Sequence, residues 1–90
     1  MKSLSGGIDI GSESHHVIIM DGNGKVLCDR KVAHKFREFR EAIGEFKGIE
    51  KLHQGEITFA IEGKNGHGAP FDRILIENGF KLYKDRKSVV

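Results

Sequence analysis

Little in this sequence can cross-link, and no stretch of it is long and apolar enough for a membrane-spanning helix. Cys28 is its only cysteine, so no intrachain disulfide can form and a reducing compartment is the default. No run approaches the ~20 apolar residues that a transmembrane helix needs. No continuous apolar core precedes Gly6, so no signal peptide is expected, and the expected location is the cytoplasm. The formal net charge of +2 is too small to mark a nucleic-acid binder by itself. Gly63, Gly66 and Gly68 are not followed by Gly-Lys-Ser/Thr, which excludes a phosphate-binding P-loop. What remains is ordinary: 90 residues, 38% hydrophobic and 31% charged, near the size at which one core just suffices.

The most informative stretch is Gly6-Gly7-Ile8-Asp9-Ile10-Gly11, an acid inside a short apolar strand flanked by glycines. Alternation sends Ile8 and Ile10 into a core and Asp9 to the other face with Gly7 and Gly11. An aspartate in a buried central strand is costly unless a positive charge offsets it, and a divalent cation held by oxygens is the usual candidate. Glu62, at the end of Ile57-Thr58-Phe59-Ala60-Ile61, is a second such acid.

From the N-terminus, residues 4–11 read as strand one and 15–20 as strand two. Asp21-Gly22-Asn23-Gly24 is a hairpin turn, and residues 25–33 return as strand three. Phe36, Phe39, Ile43 and Phe46 then fall at helical spacing, predicting a core-facing stripe over residues 35–46. Gly44 weakens its middle, and either Gly48 ends it or Ile49 and Leu52 add another turn before His53-Gln54-Gly55. Residues 57–62 are strand four. Pro70 opens a second helix carrying Phe71, Ile74 and Leu75, Gly79 caps it, and residues 80–83 form strand five.

The order β-β-β-α-β-α-β predicts an α/β fold. The meander places strands two and three on one side of strand one, and a right-handed crossover docks strand four on its free side. The result is a mixed five-stranded sheet of order 3-2-1-4-5 with helices packed on it. The direction of connection reverses between strands one and four, where open α/β sheets place ligands, and Asp9 and Glu62 converge there.

This order, with Asp9 on strand one and Glu62 on strand four, resembles the ribonuclease H-like superfamily. Gly7-Ile8-Asp9-Ile10-Gly11, the His15-His16-Val17-Ile18 stretch and Ala60-Ile61-Glu62-Gly63 resemble, more narrowly, the N-terminal RuvC-like domain of DEDD insertion-sequence transposases related to the pilin-gene invertases. The resemblance implies that residues 1–84 are part of a RuvC/ribonuclease H-like catalytic domain and that 85–90 form a basic tail. It implies Asp9 and Glu62 as the first two acidic ligands of a two-metal Mg²⁺ or Mn²⁺ site for DNA phosphodiester transfer. The family's third and fourth aspartates have no match here. The chain therefore reads as a fragment or a truncated product, and it is expected not to cut DNA alone. DNA is the implied partner, with a guide RNA a further candidate for the full-length protein.

Lys64 and His67, in the loop after Glu62, and Lys84, Arg86 and Lys87, in the basic stretch after strand five, are candidate nucleic-acid contacts, with a solvated loop and tail as the alternatives. His15 and His16 face opposite sides of one strand, so one of them flanks Asp9 or both are ordinary strand-entry residues. Cys28 reads as a small packed side chain. A competing function is a fragment of an actin/hexokinase-type phosphotransferase, whose first strand also carries Asp-x-Gly, as Asp9-Ile10-Gly11 does here. A third is a non-catalytic binding module. An unpaired edge on strand five and missing covering helices would favour a homodimer.

Overall fold

The hairpin turn is built by one carboxylate. Asp21 Oδ1 accepts hydrogen bonds from the Asn23 and Lys25 amides, both at 2.9 Å, and Gly24 takes φ 86°. This turn joins the second and third strands of a computed structural model that describes residues 2–62, 69–84 and 88–89. The elements are β1 (Lys2–Asp9), β2 (Ser14–Met20), β3 (Val26–Ala33), α1 (Phe36–His53), β4 (Gly55–Glu62), α2 (Ala69–Glu77), β5 (Lys81–Lys84) and β6 (Ser88–Val89).

The five expected strands stand in the expected order, β3-β2-β1-β4-β5, and the two-residue β6 continues the sheet beyond β5. β1 pairs antiparallel with β2 and parallel with β4, and β4 pairs parallel with β5. The edge expected to be free on strand five is thus paired at Tyr83 and Lys84.

Both crossovers, β3 to β4 through α1 and β4 to β5 through α2, advance in the same direction along the sheet. Connections of one hand that advance in one direction put their helices on one face. The burial pattern agrees. Leu4, Ile8, Val17, Ile19, Ile57, Phe59 and Ile61 are buried with Phe39, Ile43 and Phe46 of α1 and Phe71 and Leu75 of α2 in one core. Gly6 belongs to this face because the Phe59 ring lies where its Cβ would stand. The opposite face carries Gly7, Asp9, His16, Ile18, Ala60 and Glu62, and no described helix covers it. Asp9 is therefore exposed, which corrects the expectation of a buried acid.

One open expectation is settled and another changes. Helix α1 runs through Gly44 and Gly48 to His53, the longer of the two expected ends, with Gln54 in the left-handed region at φ 51°. Each glycine costs roughly 1 kcal/mol relative to alanine, and the buried Phe39, Ala42, Ile43 and Phe46 outweigh that cost. Phe36 is not core: it opens the helix 66% exposed, with the Arg40 guanidinium 5.9 Å from its ring. Helix α2 ends as expected at Gly79 (φ 87°), where the Phe80 and Gly79 amides donate to the Leu75 and Ile76 carbonyls at 3.1 and 3.0 Å.

Candidate functional site

Asp9 and Glu62 are register partners, the last residues of the parallel strands β1 and β4. The Ile10 amide donates to the Glu62 carbonyl at 3.1 Å, which carries the pairing one residue past the two acids. Neighbouring strands lie about 4.8 Å apart, and in-register side chains share a face, so two carboxylates stand side by side on the uncovered surface. The turn that follows is tight enough to require Gly11, because a Cβ there would meet the Ser14 carbonyl oxygen.

On the other side of Asp9 its antiparallel partner is His16, whose own partner on β3 is Lys31. Glu62, Asp9, His16 and Lys31 thus form one row across four strands. His16 Nε2 lies 2.5 Å from Asp29 Oδ1, a carboxylate one step diagonal on β3. Gly7, Ile8, Asp9, His16, Ile18, Ala60 and Glu62 line a shallow, open depression of about 350 Å³. Its floor is low because Gly7 and Ala60, register partners, carry no side chain beyond a methyl group.

The two adjacent histidines divide as strand alternation requires. His15 is fully buried on the helical side, with ring centroids 4.1 Å from His34, 5.5 Å from Phe71 and 6.3 Å from Phe39. His16 is the one that flanks the acids. The sequence did not select between them. The β1–β2 register, which sets His16 opposite Asp9, decides it.

Among the described residues, neither the Asp9 nor the Glu62 carboxylate has a hydrogen-bond or ion-pair partner. Two adjacent, unneutralised carboxylates offer the hard oxygen donors that Mg²⁺ or Mn²⁺ takes, so the pair fits such a cation. It is a partial donor set, since no three His, Cys, Asp or Glu side chains among the described residues converge closely enough to hold a metal ion. Lys64, His67, Arg86 and Lys87 lie outside the described residues, and Lys84 ends β5. No described helix is long and apolar enough to cross a membrane.

Known proteins resemble this chain in fold and in sequence. A Bacteroides thetaiotaomicron protein with an actin-like ATPase fold and unknown function superposes with a TM-score of 0.63 over 98% of this chain and 34% of its own, at 8% identity. That likeness shows the fold alone. The Sinorhizobium fredii (strain NBRC 101917 / NGR234) protein named "Putative transposase y4uE" is 36% identical over 77 residues, which are 84% of this chain and 21% of that protein. The chain therefore spans about a fifth of the length of that relative. Residues 6–84 match the DEDD_Tnp_IS110 transposase family from before the first acid to the end of β5, and the chain belongs to that family.

Proposed function

We propose that this chain carries the first acidic pair of a DNA transposase catalytic centre, with Asp9 and Glu62 as ligands of a divalent cation, Mg²⁺ or Mn²⁺. The observation that carries the reading is their register pairing at the ends of adjacent parallel strands, on a face that no described helix covers. When bound, a cation there supplies charge stabilisation to a DNA phosphodiester undergoing cleavage and joining. The side chains hold the cation from one face of the sheet, because the backbone ladder sets the two residues side by side before any ligand arrives. The open depression bordered by Gly7 and Ala60 leaves room for a nucleic-acid strand beside the acids.

Two carboxylates leave most of the cation's coordination sphere to water, so this chain alone is expected to bind metal weakly and not to cleave DNA. On this reading the remaining ligands come from elsewhere in a full-length family protein; this chain spans about a fifth of the relative's length.

The test is an amide NMR titration with Mn²⁺ and, separately, with Mg-ATP. Paramagnetic broadening centred on both Asp9 and Glu62, abolished by Asp9→Asn, supports the reading. Shifts confined to residues 11–14 on ATP addition, without that broadening, support an ATP-binding phosphotransferase instead.

A further inference from the structure

The His16–Asp29 pair lies outside the acidic pair, its histidine borders the same depression, and its chemistry is directional. A carboxylate only accepts, so the 2.5 Å contact assigns the Nε2 proton of a neutral His16 to the hydrogen bond with Asp29. That fixes the tautomer and leaves Nδ1 as the lone-pair nitrogen. His16 and Asp29 side chains are 43% and 59% exposed, so the pair adds little to stability. Its place in the fold is more telling than its energy. His16 is the register partner of Asp9, and both line the depression together with Glu62. With three convergent metal ligands absent among the described residues, His16 is better suited to what the acids hold than to the cation itself.

We propose that His16 is a hydroxyl-orienting residue of this site, with Nδ1 accepting a hydrogen bond from a hydroxyl brought against Asp9 and Glu62, and that Asp29 is its positioning residue. The hydroxyl comes either from the 3′ end of a DNA strand or from a water. The inference rests on the nucleic-acid reading above, and it adds an acceptor that an acidic metal pair does not supply. The carboxylate oxygens that bind a cation are weakened as acceptors, whereas Nδ1 of this tautomer stays available.

The test uses this 90-residue chain, ¹⁵N-labelled, with Ca²⁺ as a non-redox divalent ion and a short single-stranded DNA ending in a 3′-hydroxyl or a 2′,3′-dideoxy terminus. Long-range ¹H–¹⁵N spectra of the free chain are expected to show His16 as the Nε2–H tautomer, with that preference lost in Asp29→Ala. Adding the 3′-hydroxyl strand is expected to move His16 Nδ1 in the direction of an accepted hydrogen bond. A response to that strand alone identifies the strand hydroxyl, and an equal response to both identifies water.

The two amide variants separate a site role from a structural one. Asparagine places its amide near the position of Nδ1, and glutamine places it near Nε2. His16→Ala is expected to weaken binding of the 3′-hydroxyl strand about fivefold, the size of one hydrogen bond. His16→Asn should restore most of that loss and His16→Gln should not. No Nδ1 response to either strand, a Nδ1–H tautomer in the free chain, or conversion of the ring to its doubly protonated form on binding overturns the proposal. Failure of Mn²⁺ to broaden Asp9 and Glu62 removes the metal reading while the His16 arm still gives its own answer.

Discussion

The Phe59 ring lies over Gly6, its register partner on β1, in the space a Cβ would take. Phe59 is fully buried between Phe46 and Phe80, with ring centroids 5.1 and 5.7 Å away, so it has nowhere to retreat. Gly6→Ala is expected to destabilise the chain by about 1–3 kcal/mol, the usual cost of overpacking. Gly7→Ala is expected to do the reverse by up to about 1 kcal/mol, because its Cβ meets nothing within 4 Å and the unfolded chain loses freedom. Urea denaturation of the two variants checks both signs.

The acidic pair should cost stability when no cation is bound. Like charges placed directly opposite in a sheet are destabilising, so Asp9→Asn is expected to raise stability by about 0.2–1 kcal/mol in metal-free buffer. Millimolar Mn²⁺ should stabilise the unsubstituted chain and leave Asp9→Asn unchanged. Thermal melts with and without Mn²⁺ decide it, and a loss of stability in Asp9→Asn would make the acid structural.

The Asp21 turn predicts a pH dependence. Hydrogen bonds from the Lys25 amide first and the Asn23 amide second hold the Asp21 carboxyl below its ordinary value of 3.8. A depressed folded-state pKa gives stability that is present above the unfolded value and is lost as pH falls through the folded one. The turn's contribution should therefore persist above pH 3.8 and fade below it. Asp21→Asn keeps an acceptor oxygen and should flatten that part of the acid unfolding curve.

Arg30 ties β3 to α1, with Nη1 2.9 Å from Glu45 Oε1 and Nη2 3.6 Å from Glu38 Oε1. The hydrogen bond to Glu45 is the main reason its guanidinium is held even more firmly protonated than usual. The partners are part-exposed, so Arg30→Met should cost only about 0.5–1 kcal/mol, and most of that should vanish in 1 M NaCl.

Cys28 is buried, and burial, followed by the nearby Glu45 carboxylate, pushes its thiol pKa up. The thiolate is the reactive form, so labelling by a thiol reagent should require opening of the fold. Its rate should rise in Gly6→Ala and fall in Gly7→Ala. A rate that ignores both variants would show that the thiol is reached locally.

Strand order was legible because the hairpin turn, the glycines and the phenylalanine spacing are local signals, and the right-handed crossover converts them into topology. The pairing of Asp9 with Glu62 followed from that topology. The signals that misled were also local. Phe36 fits the helical stripe, but it sits at the first residue of α1, outside the stretch the sheet covers. Gly44 and Gly48 read as weak points, and the buried stripe carried the helix past both. The partner of His16 could not be read at all, since Asp29 lies 13 residues away and only the β2–β3 register joins them. Ser88–Val89 is only two residues long, too short a run to read as a strand.

With both helices on one face, the strands divide their labour by parity. Along β1 and β4 the residues that hold the fold, Leu4, Ile8, Ile57, Phe59 and Ile61, alternate with the residues that face the open depression, Gly7, Asp9, Ala60 and Glu62. Neighbours in sequence therefore answer to different demands. A combinatorial library restricted to the open-face positions would vary ligand preference at nearly constant foldability, and one shifted by a single residue would yield mostly unfolded chains.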